Sequence, residues 1–282
     1  MNFATMLRLD LADRARKYAE LHGLPYCLSY GESPTVCFAP SDQDARHGNF
    51  LPGSYKAILA SPEWRRRLQK VHTQGRRSLP ANDRGRWMEL DACTSSDALL
   101  MNIFCHPAAG RDGGIAAHLG AFGCSPSFGY RARVPLANGR FDRTEIDLRL
   151  GDLLVEAKLT ESDFQSAKKS ALHAYRDFTA VFDLKLLPQT TDRYQSYQLV
   201  RNVLAAYALQ CSFCVLLDAR RPDLINLWYA VMRSVMPVEL RTRLRLATWQ
   251  ELAQAATPGL RTFLETKYGI EAGASASLHR VA

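Results

Sequence analysis

Three side chains in this sequence have the types and spacing for chemistry: Asp147, Glu156 and Lys158. They lie in Glu145-Ile-Asp-Leu-Arg-Leu150, Gly151-Asp152, Leu153-Leu-Val-Glu-Ala-Lys158. The stretch reads as two strands joined by a two-residue turn, because Gly-Asp supplies the positive φ that a tight hairpin needs. Such a turn sets Leu150 opposite Leu153, Leu148 opposite Val155, Asp147 opposite Glu156 and Glu145 opposite Lys158. Side chains alternate between faces. Ile146, Leu148, Leu150, Leu153, Val155 and Ala157 therefore form one apolar face, and Glu145, Asp147, Arg149, Leu154, Glu156 and Lys158 share the other. Two carboxylates directly opposite each other repel, and a divalent cation between them reverses that sign. Hard cations such as Mg²⁺ use one or two carboxylates together with waters and substrate phosphates. An ammonium beside the attacking water completes what metal-assisted phosphodiester hydrolysis requires. The plain alternative is a solvated hairpin face in which Glu145 pairs with Lys158 and Arg149 with a neighbouring acid.

Asp147, then eight residues, then Glu156-Ala-Lys158 resembles the signature of the PD-(D/E)XK nuclease superfamily. Ile146 stands where the motif's name has proline. Trp87-Met-Glu-Leu90 and Ser95-Ser-Asp-Ala-Leu99 before the hairpin, and Tyr197-Gln-Leu-Val-Arg-Asn202 after it, are similar to a bacterial restriction-endonuclease-like branch of that superfamily. The likeness runs roughly from Asn49 to Tyr268, and the hairpin is its sharp part. It implies a DNA-cutting, endonuclease-type enzyme. Asp147 and Glu156 would hold Mg²⁺, with Mn²⁺ as a substitute and the Ala157 carbonyl as a further ligand. Lys158 would orient or help deprotonate the attacking water. Glu89 would complete the acid cluster, with Asp91 and Asp97 as rivals. Glu145, Glu161, Gln165, Gln198 and Arg201 are secondary candidates for positioning water or phosphate. Glu161 also suits a helix N-terminus, and exposed Gln and Arg are ordinary on helices. The implied fold is α/β: a restriction-endonuclease-like core with a central mixed sheet flanked by helices, plus a mainly helical N-terminal region. Spacing alone supports α/β and no more.

Elements must position these residues. Leu7, Leu11, Ala15 and Tyr18 recur at helical spacing over Thr5 to His22, ended by Gly23 and Pro25. Tyr26 to Ala39 suits a hairpin. Tyr55 to Gln74 reads as helix interrupted at Ser61-Pro62, and it ends in Arg65, Arg66, Arg67 and Lys70, with Arg76 and Arg77 beyond. That basic run would track a nucleic-acid backbone, or equally be a solvated helix surface. Ser95 or Ser96 caps a helix from Asp97 to about Cys105. The glycine-rich Ala108 to Phe128 reads as a mobile loop near the site and lacks a phosphate-loop ending. Phe128 to Val134 is extended and pairs with the hairpin. A helix is expected from Asp163 to Phe178 and another from Tyr194 to Leu209. Ser212 to Leu217 is a strand buried on both faces. Helices over Leu224 to Met236, Thr248 to Ala256 and Pro258 to Tyr268 follow, with Leu244-Arg-Leu246 as an edge strand. Divided by residue, 1–80 is a mainly helical region packed on the core, 81–270 the nuclease-like domain and 271–282 a disordered tail.

The chain has 282 residues, net charge +8 and a pI near 9.2, which suits a polyanionic partner such as DNA. Much of the positive charge is arginine, the better bidentate phosphate ligand. No apolar run approaches the ~20 residues of a membrane span, and no signal-peptide pattern opens the chain, so the expected location is the cytoplasm. The seven cysteines are scattered, against a disulfide framework. Cys211-Ser-Phe-Cys214 lies in an apolar run, and buried thiols are the better reading than zinc. A homodimer would suit double-strand cutting. Two other functions remain open: a nucleic-acid-binding module that keeps the fold without cutting, and a metal-dependent enzyme on a small phosphorylated substrate, which needs a closed pocket.

Overall fold

The hairpin expected at Glu145–Lys158 forms the middle of a five-stranded sheet in the computed structural model, which describes residues 2–29, 34–41, 46–70, 87–110 and 114–273. In chain order, α1 (Phe3–Leu21) is followed by β1 (Tyr26–Leu28), β2 (Val36–Phe38), β3 (Pro40–Ser41), β4 (Arg46–His47), α2 (Pro52–Ala60), α3 (Pro62–Arg67), a 3₁₀ turn (Glu89–Asp91), α4 (Ser96–Phe104) and α5 (Ile115–His118). Then come β5 (Pro126–Pro135), β6 (Phe141–Leu150), β7 (Leu153–Ala157), β8 (Ser166–Lys168), α6 (Lys169–His173), α7 (Phe178–Val181), β9 (Arg193–Gln195) and α8 (Tyr197–Leu209). β10 (Ser212–Leu217), α9 (Pro222–Ser234), α10 (Val238–Arg241), β11 (Leu244–Thr248), α11 (Trp249–Gln254) and α12 (Pro258–Tyr268) complete the order.

The chain divides into two compact units. The first is Met1–Cys124 with Asp218–Arg220 and Thr248–Ala282; the second is Ser125–Leu217 with Arg221–Ala247. The boundary expected at 80/81 and nearly all of the expected tail lie outside the described residues, and the first unit instead continues to Cys124 and takes back the C-terminal helices. No helix among the described residues is long and apolar enough to cross a membrane.

Within the first unit, Leu7, Leu11, Ala15 and Ala19 are the buried face of α1, and the Asn2 side chain caps it by accepting from the Thr5 amide at 2.8 Å. Pro62 has no N–H to give to α2, so the helix ends at Ala60 and Ser61 caps α3. Ser95 caps α4, whose residues from Asp97 to Phe104 are all buried. The segment expected as a loop between Ala108 and Phe128 contains α5, because Ile115 and Ala116 are buried.

In the second unit the sheet order is β11-β10-β7-β6-β5. β5, β6 and β7 are antiparallel neighbours, while β10 runs parallel to β7. The sheet is therefore mixed and the fold is α/β. The apolar run of β10 is buried apart from Ser212, as an interior strand requires. One core joins Ala132, Val134, Ile146, Leu154, Phe213 and Val215 of the sheet to Leu199, Val203 and Leu204 of α8. Ile146 and Leu154, expected on opposite faces, thus share one core.

The helix expected over Asp163–Phe178 is the main departure. Gln165 has φ +61°, Ser166–Lys168 pairs with Arg193–Gln195, and helix begins only at Lys169. The carbonyls of Phe164 and Gln165 accept the amides of Gln198 and Tyr197 at 3.0 Å each. They fill the acceptor role at the α8 N-terminus that a continuous helix would have kept for itself.

Candidate active site

The hairpin register is Leu150↔Leu153, Arg149↔Leu154 and Leu148↔Val155, and there the ladder ends. β7 continues against β10 as far as Leu216↔Ala157, and the Lys158 amide donates to the Leu216 carbonyl at 3.0 Å. β6 meanwhile stays with β5. In the fork so formed, the Ala157 amide donates to Asp147 Oδ2 at 2.9 Å. A side-chain carboxylate takes the place of a strand carbonyl. Glu145, expected opposite Lys158, is instead paired with Arg131 of β5 and is exposed, because the two hairpin strands have parted before reaching it.

Glu156 and Lys158 are both withdrawn from water. Their side chains are 3% and 7% exposed, and Lys158 Nζ lies 2.9 Å from Glu156 Oε1. The solvated-face alternative does not describe this pair. The second oxygen, Glu156 Oε2, accepts from Asn202 Nδ2 of α8 at 2.7 Å. Asn202 Oδ1 in turn accepts the Thr144 hydroxyl at 3.3 Å, which fixes the orientation of the amide. Burial pulls the Lys158 ammonium towards deprotonation, but the charges of Glu156, Glu161 and Asp147 outweigh it and raise its pKa above the ordinary lysine value. Lys158 therefore remains an ammonium at neutral pH, a donor and a counter-charge. The Phe164 ring lies 5.9 Å from Nζ.

Just beyond Lys158 the chain is held by Arg221, which is fully buried. Its guanidinium donates to the carbonyls of Glu161 at 2.8 Å, Leu159 at 3.3 Å and Ser162 at 3.4 Å, and it is balanced by Asp223 at 2.8 Å. Glu161 starts no helix. Its Oε2 accepts from the Leu159 amide at 2.7 Å and closes a turn.

Asp147, Glu156, Ala157, Lys158 and Glu161 thus come together in the second unit. Gln165 is exposed in the left-handed turn before β8. Gln198 lies in the first turn of α8. Arg201 pairs with Asp142 of β6 at 3.0 Å and lies over the Tyr197 ring. Glu89, Arg65, Arg66, Arg67 and Lys70 belong to the first unit. There Asp97, at the start of α4, is buried against Arg67 and Lys70. Burial opposes its charge, yet those two cations hold its carboxyl below the usual range. Asp91 accepts from His47 Nε2 at 3.1 Å and from the Met88 amide at 2.8 Å. Arg76 and Arg77 lie outside the described residues.

Sequence reasoning missed Thr144, Asn202 and Arg221. Asn202 was within reach: it stands four residues after Gln198, on the same helix face.

Among the described residues, no three His, Cys, Asp or Glu side chains group as a metal site. The groups beside Lys158 that could hold a cation are Asp147, Glu156 and the Ala157 carbonyl, all hard oxygens. Asp147 Oδ2 accepts the Ala157 amide, and the Glu156 oxygens face Asn202 and Lys158; a carboxylate oxygen can accept more than one hydrogen bond. The set fits Mg²⁺, which keeps several waters and needs only one or two carboxylates.

Cys211 and Cys214 are buried free thiols, facing the Leu209 and Val215 carbonyls at 3.6 and 3.7 Å. No curated protein and no solved structure matches the chain. A family model described as "Restriction Endonuclease associating with ARP" matches residues 17–269. Together with the mixed α/β sheet, that match over most of the length establishes that the chain belongs to this restriction-endonuclease family.

Proposed function

We propose that this chain is a Mg²⁺-dependent deoxyribonuclease of the PD-(D/E)XK type, a restriction-like endonuclease. The observation that carries the reading is the fork between β6 and β7, which presents Asp147 beside a buried Glu156–Lys158 pair. A buried ion pair is a poor source of stability, since desolvation offsets much of the attraction. Its place at a break in the sheet fits a chemical role better.

Asp147, Glu156 and the Ala157 carbonyl would hold the ion. When bound, Mg²⁺ supplies Lewis-acid polarisation of the phosphoryl oxygen and acidifies a water. Lys158 donates hydrogen bonds to the attacking water and to the phosphoryl oxygens as negative charge builds there. Lys158 would orient that water or help deprotonate it. Asn202 and Thr144 keep the Glu156 carboxylate in one orientation. Arg221 fixes the backbone after Lys158.

A second reading is a binding module that does not cut. It is favoured by one observation: both Glu156 oxygens already have internal donors, so the pair is satisfied without a cation. The test is cleavage of supercoiled plasmid and of linear single- and double-stranded DNA with Mg²⁺, Mn²⁺ or EDTA. Wild type is compared with Asp147→Ala and Lys158→Ala. Metal-dependent cutting that both variants lose supports the nuclease. DNA binding without cutting, or cutting that both variants keep, sinks it.

A further inference from the structure

Beyond the part of β6 paired with β7, strands β5 and β6 continue as a two-stranded ribbon with strict alternation. Ala132, Val134, Thr144 and Ile146 are buried, while Arg131, Arg133, Arg143 and Glu145 are exposed. Past Ile146 the alternation breaks: Arg149 pairs with Leu154, which shares the core with Ile146, and its guanidinium lies over the Tyr130 ring, so the exposed row ends at Glu145, two residues before Asp147. Arg143 and Asp147 are four residues apart, roughly 13 Å along the strand. The ribbon therefore presents three arginines and one glutamate in a row that stops two residues before the candidate metal ligand.

Two details separate this face from an ordinary solvated one. Arg133 and Arg143 are directly cross-strand partners, and like charges in that position weaken a sheet. Charge on an open strand edge protects against aggregation, and at Arg143 β6 pairs only with β5, but that protection does not call for two arginines directly opposite each other. Moreover, no ion pair among the described residues includes Arg131, Arg133 or Arg143. Arg133 is held over the Phe141 ring at 4.2 Å, a contact that leaves its charge in place. The helix-end cations contrast with this, since Arg67 and Lys70 are engaged by Asp97.

We propose that the exposed face of the β5–β6 ribbon, through Arg131, Arg133 and Arg143, binds the phosphodiester backbone of the nucleic acid and leads it to Asp147. The inference rests on the reading of that site as a phosphodiesterase centre. A polyanion would turn the Arg133–Arg143 repulsion into an attraction, and guanidinium forks match phosphate geometry.

The test is binding of fluorescent single- and double-stranded DNA by the full chain in EDTA, where no metal-dependent cutting occurs, from 50 to 200 mM salt. The proteins are wild type, Arg131→Ala/Arg133→Ala/Arg143→Ala, the matching triple lysine variant, and Arg233→Ala/Arg241→Ala/Arg245→Ala as an equal loss of charge elsewhere. Each phosphate contact contributes about −0.9 to the slope of log affinity against log salt on duplex DNA and about −0.7 on a single strand. The ribbon alanine variant should therefore lose about 10-fold or more in affinity and up to about 2.7 in slope on the duplex. The lysine variant should keep the slope, and the control should change little. The single- and double-strand arms show which form the face prefers. Unchanged binding by the ribbon variant, an equal loss in the control, or no DNA binding by wild type overturns the proposal. If the ribbon variant loses binding while wild type never cuts with Mg²⁺, the surface stands and the hydrolytic reading fails.

Discussion

Lys158 and Lys267 are both taken out of water, and the two units of the chain hold them in opposite ways. Lys158 faces a carboxylate, Glu156, with Asp147 and Glu161 near enough to add to its field. Lys267 has neutral partners: the Gly48 carbonyl at 2.7 Å, Asn49 Oδ1 at 2.8 Å, and the rings of Phe38, Tyr18, Phe263 and Tyr268 within 5.5 Å. Burial drives the Lys267 pKa well below the ordinary lysine value, opposed only weakly by Cys93, whereas the carboxylates drive that of Lys158 up. The same side chain is thus a fixed charge in one unit and a packing bolt in the other. Burial alone does not set the charge of a lysine; the sign of its neighbours does.

The sharpest test of this contrast makes one substitution at both places. Lys158→Met should reduce Mg²⁺-dependent cleavage on the order of 10²- to 10⁴-fold, and should destabilise by about 3–5 kcal/mol by leaving Glu156 buried and unpaired. Adding Glu156→Gln should recover much of the stability and none of the activity; urea unfolding beside plasmid cleavage would show it. Equal activity losses at Lys158 and Lys267 would erase the distinction. Next in size is Asn202→Leu, expected to lower activity or metal affinity about 10- to 100-fold with the fold intact, as loss of an orienting partner does. Lys267→Met should leave cleavage rates near wild type and lower stability by about 1–3 kcal/mol, through the acceptors it leaves unpaired.

Smaller effects come from pH. Lys267 has a lowered folded-state pKa, so from that value up to about 10.4 the unfolded chain binds more protons and stability rises with pH. Lys158 has a raised one, so its contribution is complete below about 10.4 and is lost as pH climbs through the folded value. Unfolding from pH 7 to 10 should show a flatter alkaline rise in Lys267→Met than in wild type. Asp97 acts at the acid end. Its carboxyl is depressed, so its stabilisation is present above about pH 4 and fades as pH falls through the folded value. Melting between pH 3 and 6 should be less acid-sensitive in Asp97→Asn.

Local rules made much of this molecule legible. Gly151-Asp152 between alternating apolar residues fixed the register from Leu148 to Val155, Ser61-Pro62 marked a helix break, and the apolar run of β10 marked an interior strand. The failures are tertiary in origin. Asp163–Phe178 has the composition of a helix, yet its backbone carbonyls cap α8, a partner some thirty residues away. The Glu145–Lys158 opposition assumed that the ladder continues, and nothing local announces that β7 leaves β6 for β10. Asp147, Glu156 and Lys158 were readable because two strands of one hairpin deliver them. Asn202 and Arg221 reach the same spot from α8 and from the turn before α9, and Thr144 from farther along β6; only Asn202, four residues after Gln198, had a spacing that could reveal it.

The discontinuous first unit has a consequence for the growing chain on the ribosome. Residues up to Cys124 emerge first, but Tyr18, Phe38 and Gly48 complete their surroundings only when Lys267 and α12 arrive. At about 5–20 residues per second, that wait lasts roughly 7 to 30 s, and all of the β6–β7 hairpin is made during it. The half that is synthesised first is therefore the half that finishes last, and a nascent chain stopped before α12 exposes an aromatic cage with no lysine in it.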